Sequence, residues 1–287
     1  MIFRTARSLT IAVVVALLLG GLGAARSAAT AGPRPEPSVT TSSTTATPTP
    51  APVERRAPVR LRVLTFNIRY GSYGMRRVLH QVRRTRADVV VLNEIDNRTR
   101  RGGLHQARWL ARKLGMSYAF DPNSPMPEGM RGNAVLTRHE IRSIRQLELP
   151  WPRQSQRRGV MQVRIAARGL TLDVWATHLN PGAGTVNQAW SVKTAIGVPT
   201  CATLLGGDIN AGPGSREDRI LRSHLRDVWR DVPTTGGPTN WQGDNRIDYL
   251  YVAHLRPRAA WTTPPRRASD HRGVIGVLDL DPGSSCG

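Results

Sequence analysis

Six short apolar runs, each with a carboxylate, carboxamide or imidazole at one end, constrain this chain more than any other feature. Four runs end on the polar group: Leu61 to Phe66 at Asn67, Val89 to Leu92 at Glu94, Leu172 to Thr177 at His178, and Thr203 to Leu205 at Asp208 and Asn210. Two runs begin with it, Asp248 before Tyr249 to Val252 and Asp270-His271 before Val274 to Leu278. Runs of four to eight residues rich in β-branched and aromatic side chains read as buried strands, so the polar groups fall at strand ends. If the first four strands run toward one rim of a sheet structure and the last two run away from it, all of these groups meet there. A lone Asp beside a strand says little, whereas six convergent groups describe a metal-dependent hydrolytic site.

Helical patterns lie between the strands. Met75, Val78, Leu79 and Val82 form one apolar stripe with Arg76, Arg77, Arg83 and Arg84 outside it, and Leu104, Ala107, Ala111 and Leu114 repeat the pattern before Gly115. Ser215, with Asp218 three residues on, reads as an N-cap. Further strands are expected at Asn133 to Leu136, Arg158 to Ile165 and Trp261 to Thr263. The alternation argues for an α/β fold with mixed sheets covered by helices. Tyr118 to Arg131, Pro150 to Arg158 and Thr234 to Asp244 read as loops beside the rim.

The N-terminal part stands apart. Arg4 and Arg7 precede an apolar stretch from Leu9 to Ala25, and small residues follow through Ala31, which predicts a secretory signal over 1–31. The alternative is an uncleaved anchor through residues 9–25 with the catalytic domain outside, since about 17 apolar residues sit at the lower limit for a bilayer span. Residues 32–58 are Pro, Thr, Ser and Ala with almost nothing bulky, the composition of a disordered linker. The folded domain is expected over 59–287.

The chain carries a formal charge of +21, and removing residues 1–58 with their six Arg and two Glu leaves +17. Only Lys113 and Lys193 are lysines, so the charge is nearly all Arg, suited to bidentate phosphate contacts and base stacking. An Arg bias spread over a solvated surface is the plainer reading. Two cysteines, Cys201 and Cys286, suit a disulfide in an exported protein. The strand directions put both at the end of the molecule away from the site; if they lie beyond bridging distance there, they are two thiols.

Seven segments, taken in order, resemble the endonuclease/exonuclease/phosphatase superfamily: Thr65-Phe66-Asn67-Ile68-Arg69, Leu92-Asn93-Glu94-Ile95, Gly132 to Arg138, Thr177-His178-Leu179-Asn180, Gly206-Gly207-Asp208-Ile209-Asn210, Arg246-Ile247-Asp248-Tyr249 and Ser269-Asp270-His271. The resemblance implies a four-layer sandwich of two mixed β-sheets flanked by helices, a single domain following the signal segment and linker. It implies Glu94 as the central metal ligand with Asn67 and Asp270 close to the same ion, Mg²⁺ first and Mn²⁺ or Ca²⁺ as alternatives. Asp208 and Asn210 would position water and a phosphate oxygen, His271 would contact the scissile phosphate with Asp248 orienting it, and His178 would flank the phosphate. Either Arg157 or Arg158 would be a phosphate contact. The family commonly has Gln before the metal-binding Glu, where this chain has Asn93, which shortens a supporting hydrogen-bonding side chain.

The function so implied is that of an exported phosphodiester hydrolase and monomer, with nucleic acid favoured over a phospholipid head group as partner. Sphingomyelinase-like or inositol-phosphate hydrolysis and a non-catalytic phosphate-binding module are the alternatives. The remaining histidines, His80, His105, His139, His224 and His254, are expected to be surface or structural. Asp173, Asp227, Asp231 and Asp279 are expected as turn or cap formers.

Overall fold

The computed structural model describes residues 57–99, 103–152, 155–182, 184–240, 243–265 and 267–287. The predicted signal, the linker up to residue 56 and Trp241 lie outside the described residues. In chain order the elements are β1 (Val59–Asn67), α1 (Met75–Thr85), β2 (Val89–Asn97), α2 (Gln106–Leu114), β3 (Ser117–Met126), β4 (Gly129–Thr137) and β5 (Glu140–Glu148). They continue with β6 (Gly159–Ala167), β7 (Leu170–His178), α3 (Thr185–Ile196), β8 (Thr203–Asp208), α4 (Arg216–Arg222), β9 (Arg226–Asp227) and α5 (Val228–Asp231). The last are β10 (Thr234–Thr235), β11 (Asp248–Ala253), β12 (Arg256–Thr262) and β13 (Val274–Leu280). Among the described residues no helix is long and apolar enough to cross a membrane.

The strands form two mixed sheets, ordered β10-β12-β13-β1-β2-β4-β3 and β5-β6-β7-β8-β11-β9. Alternation along β1 explains how they stack. Leu61 and Val63 join Val91, Val135, Val163, Ile165, Val174 and Leu204 in the core between the sheets. Leu64 and Phe66 turn the other way, onto Val78 and Val82 of α1 and Leu110 of α2. On the far face of the second sheet, Trp175, Leu205 and Tyr249 pack with Ala189 and Val192 of α3 and Ile220 and Leu221 of α4. Four layers result, helix, sheet, sheet and helix, with three apolar seams.

Strand direction decides where the polar ends go. β1 and β2 are parallel with Asn67 opposite Asn93, and β7 and β8 are parallel with His178 opposite Asp208. β13 runs antiparallel to β1, and β11 antiparallel to β8 with Asp248 opposite Asp208. The first four runs therefore end at one rim and the last two begin there. Gly207 permits the close pairing within the second sheet, because its φ is 156° and a Cβ at that position would collide with the Thr177 carbonyl.

Three expectations need correction. Tyr118 to Arg131 is not a loop but the β3–β4 hairpin, with Met126 opposite Gly129. Asp173 and Asp279 do not cap turns; each sits inside a strand and binds arginine, Asp173 with Arg164 and Asp279 with Arg60 and Arg258. Asp231 pairs with Arg226 at the end of α5. Asp227 does cap α5, accepting from the Trp229 amide, while also binding Arg246. At the opposite end from the rim Cys201 and Cys286 form a disulfide, beside which the Cys286 amide donates to the Thr171 carbonyl.

Candidate active site

Cross-strand register builds the core of the site. His178, Asp208 and Asp248 occupy one rung across β7, β8 and β11, so their side chains share a face. The first sheet supplies Asn67 and Glu94. Between Leu92 and Ile95 the β2–β4 ladder slips, and Glu94 takes the left-handed conformation with φ of 54°. An extra residue re-aims one side chain at the rim, a conformation that costs on the order of 1–3 kcal/mol for a non-glycine residue. Asn210, just past β8, adopts a φ of 53° in the same way.

One oxygen is the meeting point. Asp208 Oδ2 accepts from Asn67 Nδ2 at 3.0 Å and lies 3.4 Å from His178 Nε2 and 3.8 Å from His271 Nε2. Asn67 Nδ2 also donates to Glu94 Oε1 at 3.1 Å, linking the sheets through their carboxylates. Asp208 Oδ1 accepts from the Asn210 amide at 2.9 Å. Burial first and repulsion by Asp248 second push the Asp208 carboxyl up to about 7, against the pull of His271.

The two imidazoles on either side of Asp208 differ in charge. Arg158 Nη1 lies 2.9 Å from His178 Nδ1, and a guanidinium can only donate, so that nitrogen accepts and the ring proton sits on Nε2. Burial, then the positive charges of Arg158 and His271, hold His178 well below the ordinary imidazole value, so it is neutral. His271 Nδ1 donates to Asp248 Oδ2 at 2.9 Å. Burial works against its charge, yet Asp248, Asp208 and Asp270 outweigh that effect and raise it to about 10. A neutral N–H donor and an imidazolium thus flank one carboxylate.

Neighbouring residues hold these groups in place. Arg158 Nε donates to Asn180 Oδ1 at 2.8 Å, and burial draws its guanidinium below the ordinary value while Glu94 and Asp208 oppose this. Arg157 is exposed and lies over the Trp151 ring, so Arg158 is the arginine that belongs to the site. Thr239 Oγ1 accepts from the Ile247 and Asp248 amides, and an isolated bridge joins Asn240 to His271. Asn93 is fully buried between the sheets. Its Nδ2 donates to Asn133 Oδ1 and to the Thr177 carbonyl, and its Oδ1 accepts from the Asp208 amide.

The comparisons with known proteins agree with this geometry. Residues 64–271 match the model of the Endonuclease/Exonuclease/phosphatase family. The chain belongs to that family. An endonuclease/exonuclease/phosphatase structure from Beutenbergia cavernae DSM 12333 superposes with a TM-score of 0.66 at 26% identity, over 79% of this chain and 72% of that one. The catalytic domain of human Nocturnin, with bound sulfate, shares the fold at 18% identity and a TM-score of 0.61, over 78% of this chain and 94% of that one. The uncharacterized protein YbhP of Escherichia coli (strain K12) is 31% identical over 134 residues, 41% of this chain and 53% of YbhP. The chain therefore spans about half the length of the curated relatives it matches.

Within this family site the predicted residues divide into two groups. His178, Asp208, Asn210, Asp248 and His271 come together, with Asn210 Nδ2 3.1 Å from His178 Nε2. Of the predicted metal ligands, Asn67 and Glu94 join them, while Asp270 Oδ2 pairs with Arg69 at 3.1 Å and its Oδ1 accepts from Ser269. The donor set fits a divalent cation. The Glu94 and Asp208 carboxylates meet at Asn67 Nδ2, at 3.1 and 3.0 Å, and the buried Asp248 Oδ1 has no hydrogen-bond partner. Hard carboxylate oxygens of this kind suit Mg²⁺ or Ca²⁺. Sequence reasoning missed the positioning roles of Asn180, Asn133 and Thr239. The first two stand in the matching segments, whereas Thr239 carried no signal.

Proposed function

We propose that the protein is an exported, Mg²⁺-dependent phosphodiesterase that hydrolyses DNA or RNA and acts as a monomer. The observation that carries the reading is the convergence of Asn67, His178 and His271 on Asp208 Oδ2, a carboxylate raised to about 7 between one neutral and one charged imidazole. A base titrating near neutrality beside an acid that keeps its proton is what hydrolysis of a phosphodiester needs. Asp208 takes a proton from water as the water oxygen bonds to phosphorus in line with the departing ester oxygen. His271 gives its Nε2 proton to that oxygen as the P–O bond breaks, with Asp248 holding the ring through Nδ1. His178 directs its Nε2–H at a non-bridging phosphate oxygen, with the Arg158 charge behind it.

Mg²⁺ held by Glu94, with Asn67 and Asp270 alongside, would neutralise charge on the phosphate. The net +17 of residues 59–287 favours a polyanionic substrate. The Cys201–Cys286 bridge and the N-terminal apolar stretch favour export. Plasmid DNA incubated with the protein and Mg²⁺ should be nicked, and nicking should vanish with EDTA and in Asp208→Ala or His271→Ala. One feature favours a second reading, a sphingomyelinase-type substrate: exposed Trp151 under the Arg157 guanidinium pairs an aromatic ring with a cation, as a lipid head-group region accepts. Turnover of sphingomyelin or an inositol phosphate without any nicking of DNA or RNA would replace the first reading with the second.

A further inference from the structure

On the outer face of the first sheet, α1 and the end of β12 enclose an open cavity of about 790 Å³. Arg76, Arg77 and Arg84 of α1, Arg62 of β1 and Arg267 line it, and Arg62 Nη1 also donates to the Thr85 carbonyl. No carboxylate is among the described residues that line it. Some arginines of this chain are neutralised directly, as Asp279 does for Arg60 and Arg258. Here Arg76, Arg77, Arg84 and Arg267 make no ion pair with a described residue. Five guanidiniums around one void repel one another, and an anion bound among them removes that repulsion.

Charge alone would suit any anion, but the rest of the lining is more selective. Trp261 and Ile275 supply an apolar surface, with the Arg62 guanidinium 5.9 Å from the centre of the Trp261 ring. Gln81 also lines the cavity and is about 95% buried. One end of its amide, Nε2, donates to Thr263 Oγ1 at 2.7 Å, while Oε1 has no partner. Phosphate binds guanidinium forks, a planar ring stacks on tryptophan or arginine, and a buried amide left unpaired favours a ligand that meets it. One chemical class carries all three features.

We infer that this cavity is a nucleotide site, separate from the catalytic rim, in which arginines of α1 hold phosphate and Trp261 with Gln81 receives the base. The ligand is either a free nucleotide or the end of a single strand. The second source is consistent with Arg267 lying three residues before Asp270 in the loop that reaches the rim. The site stands whichever phosphoester the rim cleaves.

Calorimetric titration of the full chain in EDTA tests this with three probes: adenosine triphosphate, inorganic pyrophosphate and a short single-stranded oligonucleotide. A nucleotide probe should bind at least tenfold more tightly than pyrophosphate, and Arg76→Gln/Arg77→Gln/Arg84→Gln should weaken it at least tenfold. Those three side chains are exposed, so the variant should fold, as its thermal transition will verify. Trp261→Leu should remove the preference over pyrophosphate. Tighter binding of the oligonucleotide assigns the site to a strand, and tighter binding of adenosine triphosphate to a free nucleotide. Undiminished binding by the triple variant, loss of binding in Asp208→Ala, or equal affinity for pyrophosphate would overturn the inference.

Discussion

His271 donates its Nδ1 proton to Asp248 Oδ2 at 2.9 Å, which leaves Nε2 facing Asp208 across 3.8 Å. The pair fixes both the orientation and the charge of the ring, because the carboxylate lies directly behind the nitrogen that does not face the rim.

Asp248→Asn should therefore lower kcat far more than it raises KM, by about 10²–10⁴-fold, the usual span for a misplaced general acid. The variant should retain its fold, since Asn fills the same volume. Steady-state kinetics on the phosphoester that the protein turns over, with circular dichroism as control, measures this. An unchanged kcat would remove His271 from the acid role.

Asp208 gives an opposite pair of effects. Its folded-state carboxyl is raised to about 7, above the ordinary 3.8, so the unfolded chain ionises first and stability falls as pH rises from about 4 to 7. Asp208→Asn should abolish activity and yet, in EDTA, melt at a higher temperature than the parent protein at pH 8. The advantage should disappear near pH 4, where the carboxyl is protonated in both states. Melting curves at the two pH values decide the point.

Asn93 ties three buried groups together: the Asp208 amide, Asn133 Oδ1 and the Thr177 carbonyl. Asn93→Ala should cost about 2–4 kcal/mol, since each buried group left unpaired costs about 1–3 kcal/mol and the partners relax in part. Chemical denaturation should show the loss as a lower midpoint with an unchanged slope.

The Cys201–Cys286 bridge spans a sequence separation of 85 residues. Constraining a loop of that size in the unfolded chain contributes on the order of 4–5 kcal/mol. Cys201→Ser/Cys286→Ser should therefore unfold at markedly lower denaturant. Well below its transition it should keep full activity, because the bridge lies at the end of the sheets opposite the rim.

The elements that position the site were legible in the sequence because they are buried on both faces. β1, β2, β7, β8, β11 and β13 read as near-continuous apolar runs, the first four stopping at the rim and the last two starting from it. Edges were less legible. β5 holds the outside of the second sheet with seven of its residues from Arg142 onward exposed, so no alternation marks it as a strand. β3 contains Pro122 and Pro125, which read as loop residues until their place at the outer edge of the first sheet is seen. α3 lacks an acidic first turn and a side-chain N-cap, the two signs by which a helix start is recognised. At the site, motif order located His178 and Asp208, but the choice between Arg157 and Arg158 needed three dimensions. Arg158 turns inward beside His178, and Arg157 stays outside on Trp151.

Asn67 and Glu94 belong to one sheet, and His178, Asp208 and Asp248 to the other. Hydrolysis then reports how the two halves are seated. Under the proposed function, any slip between them that breaks the Asn67 bridge to Asp208 should stop turnover before either half unravels. Activity should accordingly fade at lower denaturant than secondary structure does, making catalysis a sensitive gauge of the seam between the sheets.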